Sequence, residues 1–235
     1  MAGGAGAVWA LRTRVEHEAA RRFDRLAGAI ARFDPESPLP HLLRNAADDE
    51  RRHAALCATL SAAYGGAATD AGADPPIAPR EMSIREAVLY EMVAACCITE
   101  TESVATVTTL LANELEPGVE KVLREIARDE VVHGRMGWAH LAREASTRDV
   151  SFLSRWIPAM LAGSVDETLF SPAVSLDESD GLLAHGVLPA ARKREVFLGT
   201  LEEVVLPGLK KFGIDVQPAR AWLAERSGRW RSPVR

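Results

Sequence analysis

The phrase Asp-Glu-x-x-His occurs twice in the chain, as Asp49-Glu50-Arg51-Arg52-His53 and as Asp129-Glu130-Val131-Val132-His133, 80 residues apart. Both copies sit in stretches whose apolar residues recur at the three-and-four spacing of an amphipathic helix, so Glu and His at i and i+3 share one face, one turn apart. A carboxylate and an imidazole aimed in the same direction from each of two helices make half of a metal site, because mixed oxygen and nitrogen donors suit iron, manganese or zinc. One copy alone would be explained as well by a solvated helix face. Two copies require a fold that can turn two long helices toward one another.

The helical periodicity reads as an all-α chain. Val15, Ala19, Phe23, Leu26 and Ile30 mark helix A over about 6–33, which stops at Asp34-Pro35 and Ser37-Pro38. Helix B begins near Pro40, a residue suited to a first helical position, and runs to the Gly65-Gly66 stop. After a Gly-, Ala- and Pro-rich connection over 65–82, Ser83-Ile84-Arg85-Glu86 reads as a capping box opening helix C, about 84–115. Helix D starts near Pro117 and reaches about 146. The connection can extend to about 59 Å against about 39 Å for helix B, so it can return along the whole bundle. Two domains are expected: a four-helix bundle over 1–147 and a helical extension over 148–235. The extension is expected to hold a short apolar helix from Phe152 to Leu161, an irregular stretch from Gly163 to His185, a helix over about 189–211 and a last one near 218–227.

Each motif copy has a carboxylate pair upstream: Glu16 and Glu18 before Glu50, Glu100 and Glu102 before Glu130. Glu16 falls on the apolar stripe with Ala20, Phe23 and Ile30, whereas Glu18 shares its face with Arg21, Arg22 and Arg25. Glu100 aligns with Val93, Cys96, Cys97 and Val104; Glu102 has Ala95, Thr106 and Thr109 beside it. Glu16 and Glu100 are therefore the inward members. Four carboxylates and two histidines on inner faces are too costly to bury ionised and unpaired, so they need cations. Two divalent ions would balance four glutamates, with neutral imidazoles completing each shell.

This constellation resembles the ferritin-like dimetal-carboxylate superfamily, in which two helices each give a Glu and two others each give an ExxH. The matching residues are Glu16, Glu50, His53, Glu100, Glu130 and His133, and the resemblance covers roughly residues 8–147. It is greatest to the branch with two ExxH motifs, which includes rubrerythrins, tRNA-modifying hydroxylases and bacterial oxygenases. It implies a ferritin-like four-helix bundle with a long B–C crossover and a cofactor of two iron ions, with manganese or a mixed Mn/Fe pair as alternatives. In such bundles Asp49 and Asp129 would each accept the second N–H of a ligand histidine on the neighbouring helix, the bland alternative being a solvated helix aspartate.

The rest of the sequence narrows the function. Net charge is −5, so no overall positive field draws in nucleic acid or an anionic membrane, and nucleic acid is not an expected partner. The longest charge-free stretch, His53 to Thr69, falls short of the roughly 20 apolar residues of a membrane helix, and Met1 to Leu11 lacks the basic start of a secretory signal, so a cytoplasmic chain is expected. Cys57, Cys96 and Cys97 contain no CxxC, which excludes a disulfide framework or a four-thiolate metal site built from these residues. Core packing explains the three thiols. Tyr64 and Tyr90 lie about 21 Å and about 15 Å along their helices from Glu50 and Glu100, too far for a tyrosyl-radical role. His17, His41, His140 and His185 are expected at the surface or as caps. Residues 186–235 carry ten Lys/Arg against five acids, read as the solvated face of amphipathic helices.

Together these features imply an O₂-dependent non-haem di-iron oxidoreductase, a monooxygenase or oxidase. Its partners would be a small organic substrate held under the C-terminal helices, O₂ and an external electron donor, since no flavin or dinucleotide fingerprint is present; a homodimer is compatible with the sequence. The competing readings are an iron-handling or peroxide-scavenging protein, a tRNA-modifying hydroxylase, and a degenerate bundle serving only as an interaction module.

Overall fold

Proline, glycine and capping residues divide the chain where they would be expected to, and the computed structural model, which describes residues 2–67, 81–164, 167–170 and 180–231, shows helices between them. Helix α1 spans Ala2–Phe33 and α2 spans Leu39–Ala63, with Pro40 in the first turn, where a missing N–H breaks no intrahelical bond. Gly65 ends α2 at φ 74°, a left-handed backbone that suits a residue without Cβ. The capping box is formed: Ser83 N donates to Glu86 Oε2 at 3.0 Å and Glu86 N to Ser83 Oγ at 3.3 Å. Helix α5 covers Pro117–Thr147.

Two apolar clusters give the topology. One holds Trp9 from the start of α1, Cys57 from the end of α2, Leu110 before helix C ends and Val119 at the start of α5. The other holds Phe23 and Ile30, Leu39 and Leu43, Val88 and Met92, and Met136. Helix B therefore ends at one pole and helix C starts at the other, so the 64–83 connection crosses the length of the bundle. Residues 68–80 of that connection lie outside the described residues. The fold is the all-α ferritin-like bundle that the spacing predicted.

Helix C departs from the regular helix expected over 84–115. It consists of α3 (Ile84–Met92), a π-helical stretch Val93–Thr99 and α4 (Glu100–Leu111). The wide turn presses against α5 at Gly137, where an added Cβ would stand 2.3 Å from Cys96 Cβ and 3.1 Å from its carbonyl carbon. Thr99 Oγ1 donates to Ala94 O at 3.0 Å, returning to the backbone inside the wide turn. Every residue from Val88 to Ile98 is buried, because the outer face of this helix is covered too.

That cover comes from the chain after residue 150: a 3₁₀ turn Ser151–Trp156, α6 (Ile157–Ser164), α7 (Ala190–Thr200), a second π stretch Leu201–Val205, α8 (Leu206–Lys210) and α9 (Gln217–Arg231). Ile157, Leu161, Phe197 and Leu206 join Leu89, Val93 and Ile98 in one core cluster. The helix expected over 189–211 is interrupted because Pro207 has no N–H to give the carbonyl four residues before it. The stretch expected to be irregular contains short 3₁₀ turns, Glu167–Phe170 and Asp180–His185; residues 165–166 and 171–179 lie outside the described residues. The second turn closes one pole, since Trp9 Nε1 donates to His185 O at 2.9 Å and the His185 ring packs edge-on to Tyr64. His185 is half-buried at the end of this turn, whereas His140 is buried and is not the surface or capping histidine expected. No described helix is long and apolar enough to cross a membrane.

Candidate metal centre

Between the two apolar clusters, α1 brings in Glu16, α2 Glu50 and His53, α4 Glu100, and α5 Glu130 and His133. Donor atoms of Glu16, Glu50, His53 and Glu130 lie within 4.8 Å of one another, and so do those of Glu50, Glu100, Glu130 and His133. Glu50 and Glu130 belong to both groups, Glu16 and His53 only to the first, Glu100 and His133 only to the second. Two cation-sized sets of donors thus share two carboxylates. Glu50, Glu100 and Glu130 are buried, whereas Glu16 is half-buried. The alternates turn away: Glu18 sits 3.7 Å from Arg14 on the outside of α1, and Glu102 accepts from Thr106 Oγ1 at 2.8 Å. Phe23 closes the space beside His133, ring edge to ring face with centroids 5.6 Å apart.

Each histidine turns Nδ1 toward the glutamates. His53 Nδ1 is 3.2 Å from Glu50 Oε2, and His133 Nδ1 is 3.0 Å from Glu50 Oε1 and 3.3 Å from Glu130 Oε2. The opposite nitrogens reach across the bundle: His53 Nε2 to Asp129 Oδ2 at 3.1 Å, and His133 Nε2 to Asp49 Oδ2 at 3.4 Å. An imidazole whose Nε2–H is held by a carboxylate presents a free Nδ1 lone pair, the form a metal requires. Arg52, inside the first motif, ties the two aspartates together, donating from Nη1 to Asp49 at 2.9 Å, from Nη2 to Asp129, and from Nε to Glu125 at 3.0 Å. Ser103 Oγ donates to Glu130 Oε1 at 3.3 Å. Sequence reasoning missed both residues; Arg52 at i+3 from Asp49 offered a local signal, but its reach to α5 exists only in the folded chain.

Without a cation the cluster is electrostatically crowded. Burial, followed by the nearby Glu50, pushes the Glu16 carboxyl well above the usual range; burial and Glu130 do the same to Glu100. Burial and Glu50 raise Glu130 to about 7. Burial opposes ionisation of Glu50 also, yet hydrogen bonds from His133 and His53 bring it down to about 2. Burial disfavours a charged His133, but Glu130 and Glu50 outweigh it and lift the imidazole to about 11. Protons are therefore standing where cations belong, which is the behaviour of a donor set that fits two divalent ions.

The sign of the pH dependence follows. A histidine raised to about 11 stabilises the metal-free fold fully below its unfolded value, near 6.5, and loses that contribution as pH rises toward 11. Carboxyls raised by burial cost stability as pH climbs above 4.5. Metal removes both penalties by replacing the protons. The rise in melting temperature on adding Zn²⁺ should therefore grow between pH 5.5 and 8, and metal uptake in weak buffer at pH 7 should release more than one proton per chain, on the order of the ligand protonation described above. Thermal scans with and without chelator, plus an indicator-dye titration, check both.

Comparison with known proteins agrees with this geometry over the bundle. The family model described as Rubrerythrin matches residues 12–141, which span all six candidate ligands. No curated protein and no solved structure matches the chain.

Proposed function

Because this chain belongs to the rubrerythrin family, whose domain binds a di-iron site, we propose that it is a non-haem oxidoreductase that uses O₂ to oxidise or hydroxylate a small organic substrate. In this reading Glu16, Glu50, His53, Glu100, Glu130 and His133 hold the iron pair. When bound, the pair supplies redox chemistry toward O₂. The chain's own groups do the rest: Asp49 and Asp129 keep the Nε2 protons in place, Arg52 fixes those aspartates, and Ser103 holds a hydroxyl proton against Glu130. Phe23 and the apolar clusters above and below limit the access of water. For hydroxylation, one oxygen atom enters a C–H bond of the substrate and the other leaves as water, taking up two electrons and two protons from an external donor.

The observation that supports a substrate-using enzyme is the fourth seam of the bundle. α1 packs along α2, α2 against α5 and α5 against α4, whereas the backbones of α1 and α4 stand further apart, with Trp9 and Leu110 in one buried cluster at the pole. Glu16, on that side, is the one half-buried glutamate of the cluster, so the centre comes nearest to solvent there. The family match also favours a second reading, peroxide scavenging, and kinetics separate the two. In stopped flow, the reduced iron-loaded protein should be oxidised by O₂ about tenfold or more faster than by an equal concentration of H₂O₂, a difference of about 1.4 kcal/mol or more in barrier. The opposite order would assign the scavenging role, and metal analysis finding no iron after anaerobic reconstitution would leave only an interaction module.

A further inference from the structure

Arg12 stands one turn before Glu16 on α1, so both side chains share the face turned toward α4. Its guanidinium lies among Glu16 of α1, Cys57 of α2 and Glu102 of α4, with its carbon 4.6 Å over the Trp9 ring. Its Nη1 is buried and has no hydrogen-bond partner among the described residues. Buried guanidinium N–H groups ordinarily find an acceptor, so this one has a donor to offer to a bound group. The neighbouring acids do not fill the role: Glu16 is turned to the metal cluster, and Glu102 accepts from Thr106. The two acids beside this guanidinium, Glu16 on α1 and Glu102 on α4, are both half-buried.

We propose that Arg12 anchors the carboxylate of a monoanionic organic substrate that enters between α1 and α4 and lays its carbon skeleton beside Glu16. The inference rests on the reading of the centre as one that oxidises an organic molecule, and it names the class of that molecule. A carboxylate is planar and matches the guanidinium fork. A phosphate dianion would meet stronger repulsion from Glu16 and Glu102, which flank the same guanidinium. Trp9, under the guanidinium, holds it from the apolar side. Arg12 and Glu16 are four residues apart on one helix face, so a substrate held by Arg12 would extend toward the donor groups that would hold the ions.

The test uses the full chain loaded with Zn²⁺, which binds substrate without O₂ chemistry, and titrates hexanoate and phenylacetate against hexanamide and phenylacetamide by calorimetry. At least one carboxylate should bind while its amide of the same shape does not. Arg12→Gln should weaken that carboxylate about 30-fold or more, the scale for losing one partner of a buried charged pair, with zinc content unchanged. Arg12→Lys should recover part of the loss. Arg14→Gln, on the exposed face, should change nothing. Equal carboxylate binding in Arg12→Gln, whether on the metals or elsewhere, overturns the proposal, as does absence of carboxylate binding in the parent protein. If Arg12→Gln fails to fold, the carboxylate-over-amide preference and the Arg12→Lys titration still decide it: full affinity in Arg12→Lys would mean that the guanidinium fork is not the anchor. Failure of the oxidase reading is separate, because it would show as carboxylate binding with no substrate-dependent O₂ consumption by the iron-loaded protein.

Discussion

Glu16→Ala and Glu100→Ala should each purify with about one metal ion per chain in place of two, while Glu50→Ala and Glu130→Ala should hold neither firmly. The difference follows from the donor groups: Glu16 serves only the set that includes His53, Glu100 only the set that includes His133, and Glu50 and Glu130 serve both. Losing a coordinating carboxylate should weaken the affected ion by more than the roughly 10–100-fold that losing a supporting partner costs. The neighbours provide the contrast. Glu18→Ala removes a half-exposed carboxylate 3.7 Å from Arg14 and should cost about 0–1 kcal/mol of stability with full metal content. Glu102→Ala should also retain both ions, since its carboxylate is engaged with Thr106. Metal stoichiometry of the six variants, measured after identical anaerobic reconstitution, checks the assignment. Metal loss in Glu18→Ala with retention in Glu16→Ala would mean that the inner face of α1 has been assigned to the wrong residue.

Gly137→Ala should be strongly destabilising, because it adds a methyl group where α5 and the π stretch are in closest contact. The new Cβ would sit 2.3 Å from Cys96 Cβ, which no rotamer change can move, and 3.1 Å from the Cys96 carbonyl carbon and 3.2 Å from its Cα. The obstacle is backbone, which cannot swing aside, so α5 and the π stretch must separate. Overpacking of this kind costs about 1–3 kcal/mol and can exceed it where backbone is displaced. Because Glu100 follows the π stretch directly, the shift should also reduce occupancy of the ion held with His133. Gly134→Ala is the control: its Cβ would meet Cys96 O at 3.7 Å and Glu100 Cβ at 3.9 Å, ordinary contacts, so it should fold and load normally. Adding Cys96→Gly to Gly137→Ala should restore part of the stability by removing the closest contact. Denaturant titrations of the metal-free variants, followed by metal analysis, measure both effects.

The candidate donor set was legible because its information is local. Glu and His three apart must share a helix face whatever the helix packs against, and residues two apart must diverge by about 200°, which separates Glu16 from Glu18 without any knowledge of the fold. The same logic failed at Val15, placed on the apolar stripe but 44% exposed, because it assumes that every side of a bundle helix is covered. Among the described residues one flank of α1 at Val15 is left uncovered, and no periodicity within α1 reports that. Helix C was misread for a related reason. Nothing between Ile84 and Leu111 signals a π turn, since there is no proline or glycine there; the turn is accommodated by Gly137, a missing side chain on another helix.

What the residues alone determined, then, is the four long helices, the crossover length and the six candidate ligands, each fixed by covalent geometry acting over one or two turns. Tertiary structure decided which residues support those ligands. Arg52 became the tie between Asp49 and Asp129, Arg12 was left with a buried nitrogen and no acceptor, and the last third of the chain covered helix C on its outer side. Those outcomes depend on which helices touch and which do not. They arise from packing between segments distant in the chain, where a single absent methyl group can set how closely two backbones approach.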